Sequence, residues 1–249
     1  MEDIYFVYKN SFQVDGYVEI IGNYLGYNIA KIQKAYIDNR IHISKLKPLV
    51  IRKELALAWS FADSYDNKLS VKLNTNIAEQ IFDKLSQEQL SNLQSKGKVK
   101  YELSESEIEL AIEFHKLIFF KIIEDRFSEK FLELGYHSSD LEKASWSCQQ
   151  YEASLPSHEK KPVLEILAQS KGVSLEEMVE KVKTKISEYN LSVASLLAEE
   201  QKLKSEAKSC KTLADCHRLR HLKFGISMSV KQMQDENIEI SPATLKITF

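Results

Sequence analysis

The chain has 249 residues, of which 43% are hydrophobic and 28% charged, so it is long and apolar enough to bury a sizeable core and falls outside the disordered and fibrous classes. A formal net charge of −2 supplies no global field for nucleic acid or anionic lipid, and three cysteines are too few for a disulfide framework, which points to a reducing compartment. Only 7 glycines and 4 prolines punctuate a chain rich in Leu, Ile, Glu, Lys and Gln, a balance that favours long helices over a many-turned β-fold.

In the first 74 residues, Gly16, Gly22 and Gly26 interrupt apolar residues of mixed period. Ile4–Tyr8 suits a short strand, Asn28–Asp38 and Lys53–Tyr65 read as helices, and Ser70–Leu73 suits a second strand. Leu55, Leu57, Ala58 and Phe61 offer the second of these helices a core face. From Thr75 the helical period clears, with Ile77, Ile81, Phe82 and Leu85 in register. Ser86 with Gln89 caps a further short helix ending near Gly97, which predicts a helical hairpin or a kinked helix.

Ser104 and Glu107 form a capping-box sequence ahead of Ile108, Ala111, Ile112, His115, Phe119, Ile122, Ile123 and Phe127, the clearest amphipathic helix, expected to end near Gly135. A helix over about 139–153 follows. Pro156 and Pro162 then mark a surface connection between an N-terminal, mainly helical lobe (1–155) and a C-terminal helical hairpin with an extended tail (156–249). Pro162 opens a short helix closed by Gly172, and Ser174 with Glu177 opens a long one reaching about Ala207. After a break at 209–211, a last helix extends to about Asp235. The tail 236–249 alternates Ile238 and Ile240, then Leu245, Ile247 and Phe249, as a terminal strand or docking arm does. The expected fold is mainly α: a helical bundle with a long C-terminal helical hairpin and a few short strands near both ends.

The sharpest chemical constellation is Cys210, Cys216, His217 and His221, since two His at i and i+4 share a helix face and Cys is a soft zinc ligand. Cys216 and His217 are adjacent and point in different directions on a helix, so surface His and half-buried Cys are the expected roles and no metal or other cofactor is predicted. His115 lies on the apolar stripe beside Phe119, where a hydrogen-bonded core role outweighs a catalytic one. The chain carries no Gly-rich phosphate loop, nucleophile elbow or His-Glu-x-x-His motif, so a non-enzyme is expected. Lys202, Lys204, Lys208, Lys211, Arg218, Arg220 and Lys223 are interleaved with Glu199, Glu200, Glu206 and Asp215, which reads as a solvated helix face rather than a nucleic-acid contact. No segment approaches a membrane span. The seam Met178, Val182, Ile186, Tyr189, Val193, Leu196 and Leu197 packs either inside the molecule or against a partner helix. With the tail residues Ile238, Ile240, Leu245, Ile247 and Phe249, it is the expected partner-binding surface.

A resemblance enters at residues 146–221. The order Trp146, Gln149 or Gln150, Glu152, Ala153, Pro162, Leu164, Leu167, Ala168, Gly172, Leu175, Val182, Tyr189, Ala194, Leu197 and Gln201 is similar to a helical segment of bacteriophage tail-fibre-assembly and baseplate-associated proteins. There a Trp-Gln-Glu-Ala helix precedes a short helix, a Gly turn and a long helix; Thr212-Leu-Ala looks like the start of that segment's last helix. The basic, Cys-containing stretch 202–223 departs from the usual alanine-rich version. Chain length and overall character resemble the baseplate hub assembly chaperones of T-even bacteriophages. That resemblance implies a non-catalytic factor in the host cell cytoplasm that transiently binds a tail, baseplate hub or tape-measure protein. The alternative it leaves open is a permanent structural component of the tail or baseplate.

Overall fold

The computed structural model describes residues 3–10, 18–34, 48–65, 67–134 and 139–225. Of these, 66% are helical, which makes the chain mainly α with a minor antiparallel β component. It divides into two compact units, one made of residues 1–120 and 206–249, the other of 121–205. The connection at 155/156 expected to separate two lobes lies inside the second unit, where the helices on either side of it pack together.

The first unit opens with a four-stranded antiparallel sheet, β1 (Asp3–Lys9), β2 (Glu19–Tyr24), β3 (Tyr27–Gln33) and β4 (Leu49–Ile51), in the order β2-β3-β1-β4. β1 is the strand expected at Ile4–Tyr8. Residues 28–33 of the segment expected to be helical instead pair with β1, from Tyr8 opposite Asn28 to Asp3 opposite Gln33, and residues 35–38 of that segment lie outside the described residues. The cause is the two-residue turn Leu25–Gly26, both at positive φ (53° and 82°), which folds β3 back on β2 as a type I′ hairpin turn does. Phe6, Tyr8, Ala30 and Ile32 form one buried cluster, while Val7 and Ile29 are also fully buried. Strands covered on both faces lose the polar alternation by which a strand is recognised.

Helix α1 (Lys53–Leu57) continues into a 3₁₀ turn over Ala58–Phe61, within the expected 53–65 helix, and Leu55, Ala58 and Phe61 are buried. A second, two-stranded sheet joins β5 (Lys68–Lys72) to β6 (Lys98–Glu102), with Leu69, Val71, Val99 and Tyr101 inward. Between them run α2 (Asn76–Ile81), capped by Thr75, and α3 (Gln87–Lys96), whose capping box pairs Ser86 with Gln89 and whose C-terminus is turned by Gly97 at φ +68°. β6 is an element that the helical reading of this region did not contain.

Helix α4 (Glu105–Leu134) starts on the expected box. Buried Glu107 accepts from Ser104 N at 2.9 Å, Tyr101 OH at 3.0 Å and Lys84 Nζ at 2.5 Å. Burial alone would raise its pKa, but these donors hold it below the usual carboxylate range. In the second unit, α5 (Asp140–Ser154), α6 (Pro162–Lys171) and the start of α7 (Leu175–Ser209) share a core of Ala153, Leu164, Ala168, Met178 and Val182. The carboxylate of Glu152 caps α6, accepting from Val163 N at 3.1 Å and Leu164 N at 2.9 Å, an anion where the helix dipole favours one. α7 runs antiparallel to the end of α4, with Lys204 near Glu124 (3.7 Å) and Lys130 near Glu199 (3.1 Å). After a break at 210–212, α8 (Leu213–Phe224) opens on a Thr212–Asp215 capping box. It ends at Phe224, where Gly225 takes the left-handed conformation (φ +70°), and the remainder of the helix expected to reach Asp235, residues 226–235, lies outside the described residues. The expected tail strand at 236–249 lies outside the described residues.

Candidate functional site

In the first unit, four elements bring polar groups to one point that is buried except at Asp63, whose side chain is 67% exposed, with Ser64 contributing its backbone carbonyl. Tyr24 ends β2, Asp63 and Ser64 follow the 3₁₀ turn, His115 sits midway along α4, and His217 and Arg220 share a face of α8 at i and i+3. His115 and His217 are 0% and 1% exposed, their rings 5.5 Å apart. His115 Nε2 lies 2.8 Å from Ala62 O and Nδ1 lies 3.0 Å from Tyr24 Oη; His217 Nε2 lies 3.1 Å from Ser64 O and Nδ1 lies 2.9 Å from Arg220 Nη2. A carbonyl only accepts and a guanidinium only donates, so each Nε2 carries the proton and each Nδ1 accepts. Arg220 Nη1 then donates to Tyr24 Oη (2.9 Å) and Asp63 Oδ1 (3.0 Å), which frees the tyrosine hydroxyl to donate to His115.

One proton arrangement satisfies every ring nitrogen, with both imidazoles neutral. Burial first, then the charge of Arg220, holds His217 down at about 4; burial and the neighbouring His217 hold His115 at about 3. Burial likewise pushes Tyr24 upward. Neither imidazole has a free lone pair with which to take a substrate proton. The network therefore fastens β2, α4, α8 and the 62–64 turn to one another through both ring nitrogens of each histidine, the Tyr24 hydroxyl and the two Nη atoms of Arg220, while the buried Arg220 Nε has no hydrogen-bond partner among the described residues.

His115 thus occupies the hydrogen-bonded core role its place on the apolar stripe suggests. His217, weighed above as a metal ligand, has both nitrogens engaged by protein groups, and Arg220, read as part of a solvated face, is buried. The signal for that burial was present: Leu213, Cys216, His217 and Arg220 recur at helical spacing on one face of α8. Cys210 and Cys216 are both buried and free. The Cys216 thiol hydrogen-bonds to Cys210, which lowers the acidity threshold of Cys210 and raises that of Cys216, while Cys210 Sγ lies 3.6 Å from Glu206 O. Among the described residues no three His, Cys, Asp or Glu side chains converge as metal ligands.

The expected partner-binding seam divides. Met178 and Val182 are 3% and 7% exposed within the α5–α6–α7 core and are unavailable to another chain. Ile186, Tyr189 and Val193 are half-buried, Tyr189 edge-on to Trp146 at 5.7 Å, and Leu197 is exposed. Ile238, Ile240, Leu245, Ile247 and Phe249 lie outside the described residues. Apolar surface that the sequence reading did not single out is exposed on the last turn of α4, at Phe131, Leu132 (70% exposed) and Leu134, and on α7 at Leu191 (68%). No helix among the described residues is long and apolar enough to cross a membrane.

No protein-family model, curated protein or solved structure matches this chain.

Proposed function

We propose that this protein is a non-catalytic assembly chaperone that transiently binds a baseplate hub, tail or tape-measure protein of a tailed bacteriophage during tail assembly in the host cytoplasm. The observation that carries the reading is the exposed end of α4. Phe131, Leu132 and Leu134 stand at least one-third open to solvent on the last turn of the helix, an apolar group that gains free energy when a client covers it. The phage client is inferred from the resemblance drawn above from the order of residues 146–221 in the sequence.

The test is co-expression with candidate hub and tape-measure proteins, reading the soluble yield of each client. Phe131→Ser with Leu132→Ser lowers that yield while leaving the helical circular dichroism unchanged. Equal client solubility with the variant and the parent overturns the assignment of this surface.

A further inference from the structure

The outward face of α7 has a symmetry of its own. At about 100° per residue, Glu180, Thr184, Ser187, Leu191, Ser195, Ala198 and Lys202 fall within about 40° of one line along the helix, opposite the buried Met178–Val182 side. All seven are exposed. Leu191, 68% exposed, is the single large apolar side chain of this row and sits at its centre. A groove runs on either side of it, one toward Lys130 and Leu134 of α4, the other toward Gln150 and Ser154 of α5.

The row reads the same in composition outward from Leu191 in both directions, except in charge. Small residues stand at four positions (Ser187, Ser195) and seven positions (Thr184, Ala198) from it, and at eleven stand Glu180 on one side and Lys202 on the other. We propose that α7 pairs antiparallel with α7 of a second copy of this chain about a two-fold axis at Leu191. That arrangement sets Leu191 against Leu191 and lets the small residues bring the helices close. It also places Glu180 of each copy opposite Lys202 of the other, about 16 Å from the axis on both sides. A parallel pairing in register would instead oppose Glu180 to Glu180 and Lys202 to Lys202. Glu180 has an exposed contact with Lys183 on its own helix at 3.3 Å, weak enough in water to exchange for an intermolecular one. The ridge from Glu180 to Lys202 is about 33 Å long, and one helix pair of that length lies at the low end of stable interfaces, so the dimer dissociates in the micromolar range. This face adjoins the client surface of the chaperone reading at Leu134, but the substitutions that test it lie on α7 and leave Phe131, Leu132 and Leu134 in place.

Sedimentation velocity of the full chain from low to several hundred micromolar tests it. The parent shifts from monomer to dimer across that range. Leu191→Glu, which sets two carboxylates together at the axis, weakens dimerisation by at least about a hundredfold. Glu180→Lys and Lys202→Glu each weaken it about tenfold, and together restore it. As a readout that does not depend on a disruptive variant, Leu191→Cys in a Cys148→Ser background crosslinks to itself on mild oxidation. A parent that stays monomeric throughout, a dimer indifferent to Leu191→Glu, charge reversals that do not rescue one another, or no Leu191→Cys crosslink each overturns the proposal.

Discussion

Lowering the pH from 7.5 to 5 isolates the energetic role of the buried imidazoles. Unfolded, His115 and His217 each take up a proton near the ordinary value of 6.5; folded, they do so only near 3 and 4. Their folded values are depressed, so stability is full above 6.5 and falls as the pH drops through the window toward 4, where the unfolded chain binds protons that the native one refuses. At pH 5 each histidine accounts for about 2 kcal/mol of lost stability, about 4 kcal/mol for the pair, a large share of the 5–15 kcal/mol typical of a folded domain. Carboxylates held low by their partners, such as Glu107 and Asp215, add their losses only at lower pH, below their unfolded values. Denaturant unfolding followed by Trp59 fluorescence in a Trp146→Phe background reads the first unit alone. His115→Gln and His217→Gln each destabilise at pH 7.5 but each remove about half of the difference between pH 7.5 and pH 5. A parent equally stable at both pH values, or a pH difference unchanged in the double variant, refutes the reasoning.

Three packing predictions follow from the same geometry. A Cβ at Gly22 would meet the Trp59 indole at 2.3–2.7 Å, so Gly22→Ala costs about 1–3 kcal/mol and shifts Trp59 emission, measured by thermal unfolding and fluorescence. Glu152→Ala strips the buried cap from α6 and costs about 1–3 kcal/mol by denaturant titration; an unchanged midpoint would show that water replaces the carboxylate at no cost. Met178→Ala costs about 2–5 kcal/mol while Leu197→Ala stays within about 0.5 kcal/mol, which separates the buried and exposed parts of the α7 seam.

The helices from Thr75 onward were legible because their ends carry local chemistry. Thr75, Ser86, Ser104 and Ser174 cap where their side chains allow, and Gly97 and Gly172 close helices in the left-handed conformation. β3 was not legible, because its strand character comes from pairing with β1 and from a Leu25–Gly26 turn in which leucine occupies a position usually held by Asn or Asp. β6 follows a clear C-cap glycine and alternates Val99 and Tyr101 inward with Lys98, Lys100 and Glu102 outward, a period-2 signal overshadowed by the two helices before it and the strong helix after it. The imidazole network escaped the reading for a different reason. Tyr24, Asp63, His115 and Arg220 are up to 196 positions apart, and only the tertiary fold brings them together. A seam at helical spacing likewise does not say which of its residues face inward; Met178 and Val182 do because α5 and α6 cover them.

The most direct test of the assembly-chaperone reading is quantitative mass spectrometry of this chain in phage-infected lysate, isolated tail-assembly intermediates and purified virions. The account predicts the chain in lysate and intermediates, together with its client, and its absence from virions. Stoichiometric presence in virions would make it a permanent tail component, and absence from every phage sample would contradict the phage reading altogether.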